Sequence, residues 1–185
     1  MMTVTLPLLQ GTILGMPTET YTLLHVVISV IGIGSGMVVM WGMLRAKLLN
    51  GITSIFLATT ILTSLTGFAF PNEHVTPGIV VGVLLLIALA VAVFARYARH
   101  LAGIWRASYV ISAAIAFYFN VFVLIVQSFE KSPALHALAP TQKEPPFAIA
   151  QLVVLVAFVM VTVMAVRRFH PSPSVGMAGG QRSAA

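Results

Sequence analysis

Apolar residues in this chain come in long runs, not in the short alternating or three-and-four spacings of a fold that turns one face to water. Five runs approach or exceed the length of about 20 residues that one helix needs to cross a bilayer. They extend from about Thr22 to Leu44, Ile52 to Phe70, Gly78 to Ala95, Ala107 to Ser128 and Pro146 to Val166. The predicted fold is therefore all-α, an integral membrane bundle of five transmembrane helices spanning residues 22–169. Pro71, Pro77, Pro133, Pro140, Pro145 and Pro171 fall in connections or at run ends, where a missing amide donor does least harm. A shorter run, Val4 to Met16, is broken by Pro7 and Gly11, so residues 1–21 are expected to form a periplasmic or interfacial arm. Met1 to Tyr21 holds no Lys or Arg, so it lacks the basic start of a secretory signal and is expected to stay attached. Residues 170–185, rich in Pro, Ser, Gly and Ala, are expected to be a disordered cytoplasmic tail.

Within the runs, small and polar residues mark the faces that should meet other helices. The fourth run carries Asn120 and Gln127 seven residues apart, on one face with Ala113 and Ala116. An unpaired amide in hydrocarbon is costly, so this face should look inward and the fourth helix should be the bundle centre. In the first run His25, Ser29, Gly32 and Gly36 share a face, with Gly32 to Gly36 a GxxxG step that lets backbones approach. The second run offers a stripe of Thr59, Thr63 and Gly67 beside Thr60 and Ser64. Ser29, Gly32, Gly36, Thr59, Thr63, Gly67 and Asn120 are thus the expected helix-packing residues. The third run is almost purely aliphatic and is expected to face lipid most.

Composition agrees: 59% of residues are hydrophobic and 8% charged, with a mean hydropathy of +1.02, against roughly 25% charged in soluble domains. The net charge of +6 does not point to nucleic acid, because the basic residues sit at run ends and not on one basic face. Eight of the ten Lys and Arg residues, in the Arg45–Lys47, Arg96–Arg106 and Arg167–Arg182 groups, fall on one side of a five-span chain. That side is predicted to be cytoplasmic, placing the amino terminus outside and the carboxy terminus inside. Trp41, Tyr97, Trp105 and Tyr109 cluster near the same interface. All four acids, Glu19, Glu73, Glu130 and Glu144, lie on the other side. With neither Cys nor Asp, thiolate catalysis and Cys-ligated metals are excluded.

Candidate chemistry collects on that acidic side. His25, Glu73, His74, His136 and Glu144, with Gln127 and Gln151 beneath them, offer imidazole, carboxylate and amide groups that could take a metal or small ligand, or supply an acid and a base. No two of them show a ligand motif spacing such as HExxH, and solvated loop groups with local hydrogen bonds are the competing reading. A metal is left open and no residue is assigned as catalytic. A buried haem between two histidines of one chain is disfavoured, since His25 and the pair His100 and His170 fall at levels separated by a core of about 30 Å; a haem near the outer surface stays open. Ion-coupled transport is disfavoured because only the neutral Asn120 lies at mid-depth.

The stretches LATTILTSLTGFAFP, ARYARHLAGIWRASYV, NVFVLIVQSF and LAPTQKEPPF resemble a family of small multi-pass inner-membrane proteins of Gram-negative bacteria, over about His25 to Phe169. The resemblance implies a bacterial inner-membrane location and carries over no catalytic residue. The function expected is that of a non-enzymatic accessory or scaffold component packing with lipid and with a membrane-protein partner or a second copy. The alternatives are a periplasmic-face binding protein or enzyme around His25, His74 and His136, and a small neutral-solute permease.

Overall fold

The computed structural model describes residues 11–71 and 76–171. A minimal hairpin, β1 (Thr12–Ile13) and β2 (Met16–Pro17), turns through Leu14 and Gly15. Both take positive φ, the conformation that matches strand twist in a two-residue turn. Six helices follow: α1 (Thr18–Leu44), α2 (Asn50–Phe68), α3 (Pro77–Val93), α4 (Ile104–Lys131), α5 (Pro133–Leu138) and α6 (Pro145–Arg168). A π-helical turn, Phe94–Ala98, continues α3. All but α5 are long and apolar enough to cross a membrane.

Prolines start three of these helices at the first position, where the absent N–H has no partner to lose. Thr76 caps α3 by accepting from the Ile79 amide at 3.4 Å. The α1 helix ends where Ala46 adopts a positive φ and the Lys47 amide turns back to the Gly42 carbonyl at 2.9 Å. At their polar ends the helices run beyond the apolar runs: α1 begins at Thr18 and α4 at Ile104, taking in Trp105 and Arg106. Exposed polar residues cost little in a first turn, so hydrophobicity stops before the helix does. Residues 1–10 and 172–185, and with them most of the arm and tail expected at the termini, lie outside the described residues.

The α4 helix is the hub, packing against α1, α3 and α6, while α1 and α2 form the closest pair. Of the most apolar 18-residue stretch of α4, 44% is buried inside the protein; for α6 the figure is 6%. The most exposed of the five long helices is therefore α6 and not α3, of which 28% is buried. Leu85, Ala88, Leu89, Ala92 and Ala95 recur at helical spacing along α3 and its π turn, and that stripe joins the core with Val110, Ala113 and Phe117 of α4.

The ends of the bundle differ in charge. The end of α1, the start of α2, the π turn, the start of α4 and the end of α6 form a basic end, tied by Arg96 to Asn50 and by Arg106 to the α6 terminus. Glu19, Glu130 and Glu144 occupy the opposite, acidic end.

Candidate functional site

At the acidic end, α1 and α2 are joined by ring and hydroxyl contacts. Tyr21 donates to the Thr66 carbonyl at 2.8 Å, and His25 Nδ1 lies 2.8 Å from Thr66 Oγ1. With the Thr66 hydroxyl donating to the Leu62 carbonyl at 2.7 Å, its oxygen is free to accept from a His25 imidazole protonated on Nδ1. Phe70 packs edge-on to both Tyr21 and His25, and a Cβ at Gly67 would sit 3.6 Å from His25 Cε1. His25 is thus held in the α1/α2 contact.

The α4–α6 connection is built around Glu144. Its carboxylate accepts from Thr141 Oγ1 at 2.8 Å, from the Thr141 amide at 3.2 Å and from the Lys143 amide at 3.0 Å. Desolvation opposes ionisation of this carboxyl, but these hydrogen bonds outweigh it and hold Glu144 below its ordinary value. Gln142 donates to the Val126 carbonyl at 3.3 Å, tying the loop to α4, and Phe129 meets Phe147 edge-on at 5.4 Å. His136 is exposed on α5. Gln151 donates to the Phe122 carbonyl at 3.3 Å while its Oε1 is buried without a partner; Gln127 is half-buried on α4. Glu73 and His74 lie outside the described residues. Among the described residues, no three His, Asp, Glu or Cys side chains form a group that could hold a metal ion.

Midway along the helices, Asn120 of α4 is buried and donates from Nδ2 to Thr60 Oγ1 of α2 at 3.2 Å. Gly32 closes this junction from α1: a Cβ there would meet Thr59 Oγ1 at 3.3 Å and Thr60 Oγ1 at 3.4 Å. Ser29 donates to the His25 carbonyl at 2.7 Å and reaches Thr63 Oγ1 at 3.4 Å. Gly36 admits two aromatic rings, since a Cβ would come within 2.8 Å of Phe117 Cδ2 and 2.9 Å of Phe56 Cε2. This is a junction of three helices held by amide, hydroxyls and close approach.

The basic end holds a cluster not anticipated from sequence. Arg96, on the π turn, is only 7% exposed. Its Nη2 donates to Asn50 Oδ1 at 2.8 Å, Nη1 reaches the Tyr109 hydroxyl at 3.5 Å, and Nε is buried without a partner. Its carbon lies over the rings of Tyr97 and Tyr109 at 5.3 and 5.6 Å. Tyr109, read from sequence as an interfacial ring, is fully buried. The available signal was the α3 stripe itself, whose spacing carries Arg96 onto the buried face after Leu89, Ala92 and Ala95. Nearby, Arg106 donates to the Val166 and Phe169 carbonyls at 2.9 and 2.7 Å, closing the otherwise open end of α6. Arg99 stacks over Trp105 at 5.5 Å and Arg45 over Trp41 at 4.1 Å.

Two apolar grooves flank α6. One, of about 450 Å³, runs between α4 and α6 along Ile115, Tyr118, Phe158 and Val159 to Arg167. The other, of about 260 Å³, lies between α1 and α6 at Met37, Trp41 and Phe158. No family model, curated protein or solved structure matches the chain.

Proposed function

We propose that this chain is an integral protein of the bacterial inner membrane, crossing it five times with its amino terminus outside, and that it serves as a non-enzymatic accessory or scaffold component. The orientation rests on the gathering of basic side chains at one end of the bundle, the end that stays cytoplasmic during insertion. The choice of membrane rests on the resemblance to small inner-membrane proteins. The observation that carries the functional reading is the position of α6. It stands at the edge of the bundle with 6% of its most apolar stretch buried, grooved on both sides, and it presents Leu152, Val153, Val156 and Met160 outward. An apolar helix held on one side by α4 and α1 and open on the other is suited to packing laterally against a membrane-protein partner, with lipid filling the grooves elsewhere.

The test is a native mass spectrum of the protein extracted in mild detergent from its own membranes. A partner subunit retained at fixed stoichiometry, and lost from a Val156→Trp, Met160→Trp variant that still folds, is the expected result. Extraction as a bare monomer would overturn the reading. Separately, a reporter fused after Arg168 is expected to report cytoplasm and one within residues 132–143 periplasm; the reverse would sink the orientation.

A further inference from the structure

We infer that the basic end of the bundle binds a phosphate group against Arg96, at the N-terminus of α2. The starting point is an unbalanced charge. Arg96 is buried, 7% exposed as a residue, yet its partners, Asn50, Tyr109 and the rings of Tyr97 and Tyr109, are all neutral and its buried Nε has none. A buried cation without a counter-ion is destabilising by several kcal/mol. The described carboxylates cannot serve: Glu130 is near the far end of α4, a 28-residue helix about 40 Å long at 1.5 Å per residue. Glu19 and Glu144 begin helices at that same far end. No carboxylate among the described residues reaches Arg96, which leaves it open to an anion from outside the chain.

The surroundings specify which anion. Nη2 meets Asn50, the first residue of the 19-residue α2, so the guanidinium sits at that helix's positive end. No side chain caps this terminus, and the amides of Gly51 and Ile52 precede the first helical bond, from the Thr53 amide to the Leu49 carbonyl. Asn50 and Ser54 are exposed at the rim, Ser54 Oγ standing 3.1 Å from the Tyr97 hydroxyl. A guanidinium, an amide, a hydroxyl and helix-terminal N–H groups together suit a tetrahedral oxyanion, which can take several donors at once. Phosphate reaches this level in two forms, the headgroup of an anionic phospholipid or free phosphate. The inference does not depend on the role assigned to α6.

The experiment is thermal unfolding of the detergent-purified protein titrated with inorganic phosphate, with phosphatidylglycerol and with phosphatidylcholine, against sodium chloride at matched ionic strength. Inorganic phosphate or phosphatidylglycerol is expected to raise Tm saturably above chloride; the one that does names the source. Arg96→Gln should weaken the response about thirtyfold or more, the order expected on breaking a buried charge pair. Asn50→Ala and Ser54→Ala, which keep the guanidinium, should each weaken it severalfold and decide the matter where Arg96→Gln does not fold. Arg99→Gln, at an exposed site, should leave it unchanged. The inference is overturned if neither source exceeds chloride, if phosphatidylcholine raises Tm as much as phosphatidylglycerol while inorganic phosphate does not exceed chloride, or if Arg99→Gln matches the Asn50 and Ser54 variants.

Discussion

Asn120 Nδ2 and Thr60 Oγ1 meet at 3.2 Å in the middle of the bundle, joining α4 to α2 across sixty residues of sequence. Gly32 of α1 lies against the same pair, so one amide organises three helices. Replacing Asn120 with Ala should therefore destabilise the bundle by about 1–2 kcal/mol, the scale of an interhelical hydrogen bond in lipid. Thr60→Val should cost a similar amount, and the double variant should cost less than the sum. Reversible unfolding in mixed micelles measures all three; full additivity would show that the two groups act independently.

Gly34 and Gly36, two positions apart on α1, meet opposite surroundings and make a matched pair. Gly36→Ala drives a methyl into the Phe117 and Phe56 rings and should cost about 1–3 kcal/mol by overpacking. Gly34 has nothing within 4 Å of an added Cβ, so Gly34→Ala should be neutral or stabilising by up to about 1 kcal/mol. Equal effects in the same unfolding assay would contradict the close approach at Gly36.

Arg106 should fasten the end of α6. Removing its two bonds to the Val166 and Phe169 carbonyls with Arg106→Ala is expected to cost about 1–3 kcal/mol. The chain contains no Cys, so spin labels on cysteines introduced at Ile111 and Val163, across the groove, report only that distance. A broadened distance distribution in the variant is expected; an unchanged one would show that packing alone holds α6.

The Glu144 loop should loosen in acid. Because its carboxyl is held below the ordinary value of 4.5, the ordering it provides is complete above that pH and is lost as pH falls through the lower folded value. Amide exchange across residues 140–144 should be slow at pH 6 and, after correction for intrinsic rates, faster at pH 3. Glu144→Gln should show the looser loop at both pH values; protection independent of pH and of this substitution would contradict the role given to Glu144.

The class and the number of span-length helices were legible because each helix long enough to cross a bilayer needs an unbroken apolar run; the short α5, with no such run, was not. The inward position of α4 was legible from Asn120, since an amide in such a run has to find a partner. The exposure of α6 was not, because α6 carries Gln151 and Thr162 while α3 is almost purely aliphatic, which pointed to α3 as the lipid-facing helix; the Ala88, Ala92 and Ala95 spacing was the usable clue. Local partnerships escaped for a different reason. His25 meets Thr66 across 41 positions and Arg96 meets Asn50 across 46, and no spacing rule links residues so far apart. Glu144, by contrast, binds Thr141 only three residues away, a turn whose hydrogen bonds depend on backbone angles that residue identity alone does not fix.

The Asn120–Thr60 contact also sets an order of events during biosynthesis. The α1/α2 hairpin is complete at Phe68, before α4 has been made, so its notch at Gly32 and Thr60 waits unfilled until Asn120 is added. At about 5–20 residues per second the roughly 50 residues between take about 3–10 s. For that interval the hydroxyls of the hairpin face whatever surrounds a nascent chain in the membrane. Chains arrested before Asn120 should cross-link at Thr60 to lipid or to the insertion machinery, and chains arrested well after Lys131 should not. The junction is thus opened by the second helix and closed by a single amide on the fourth.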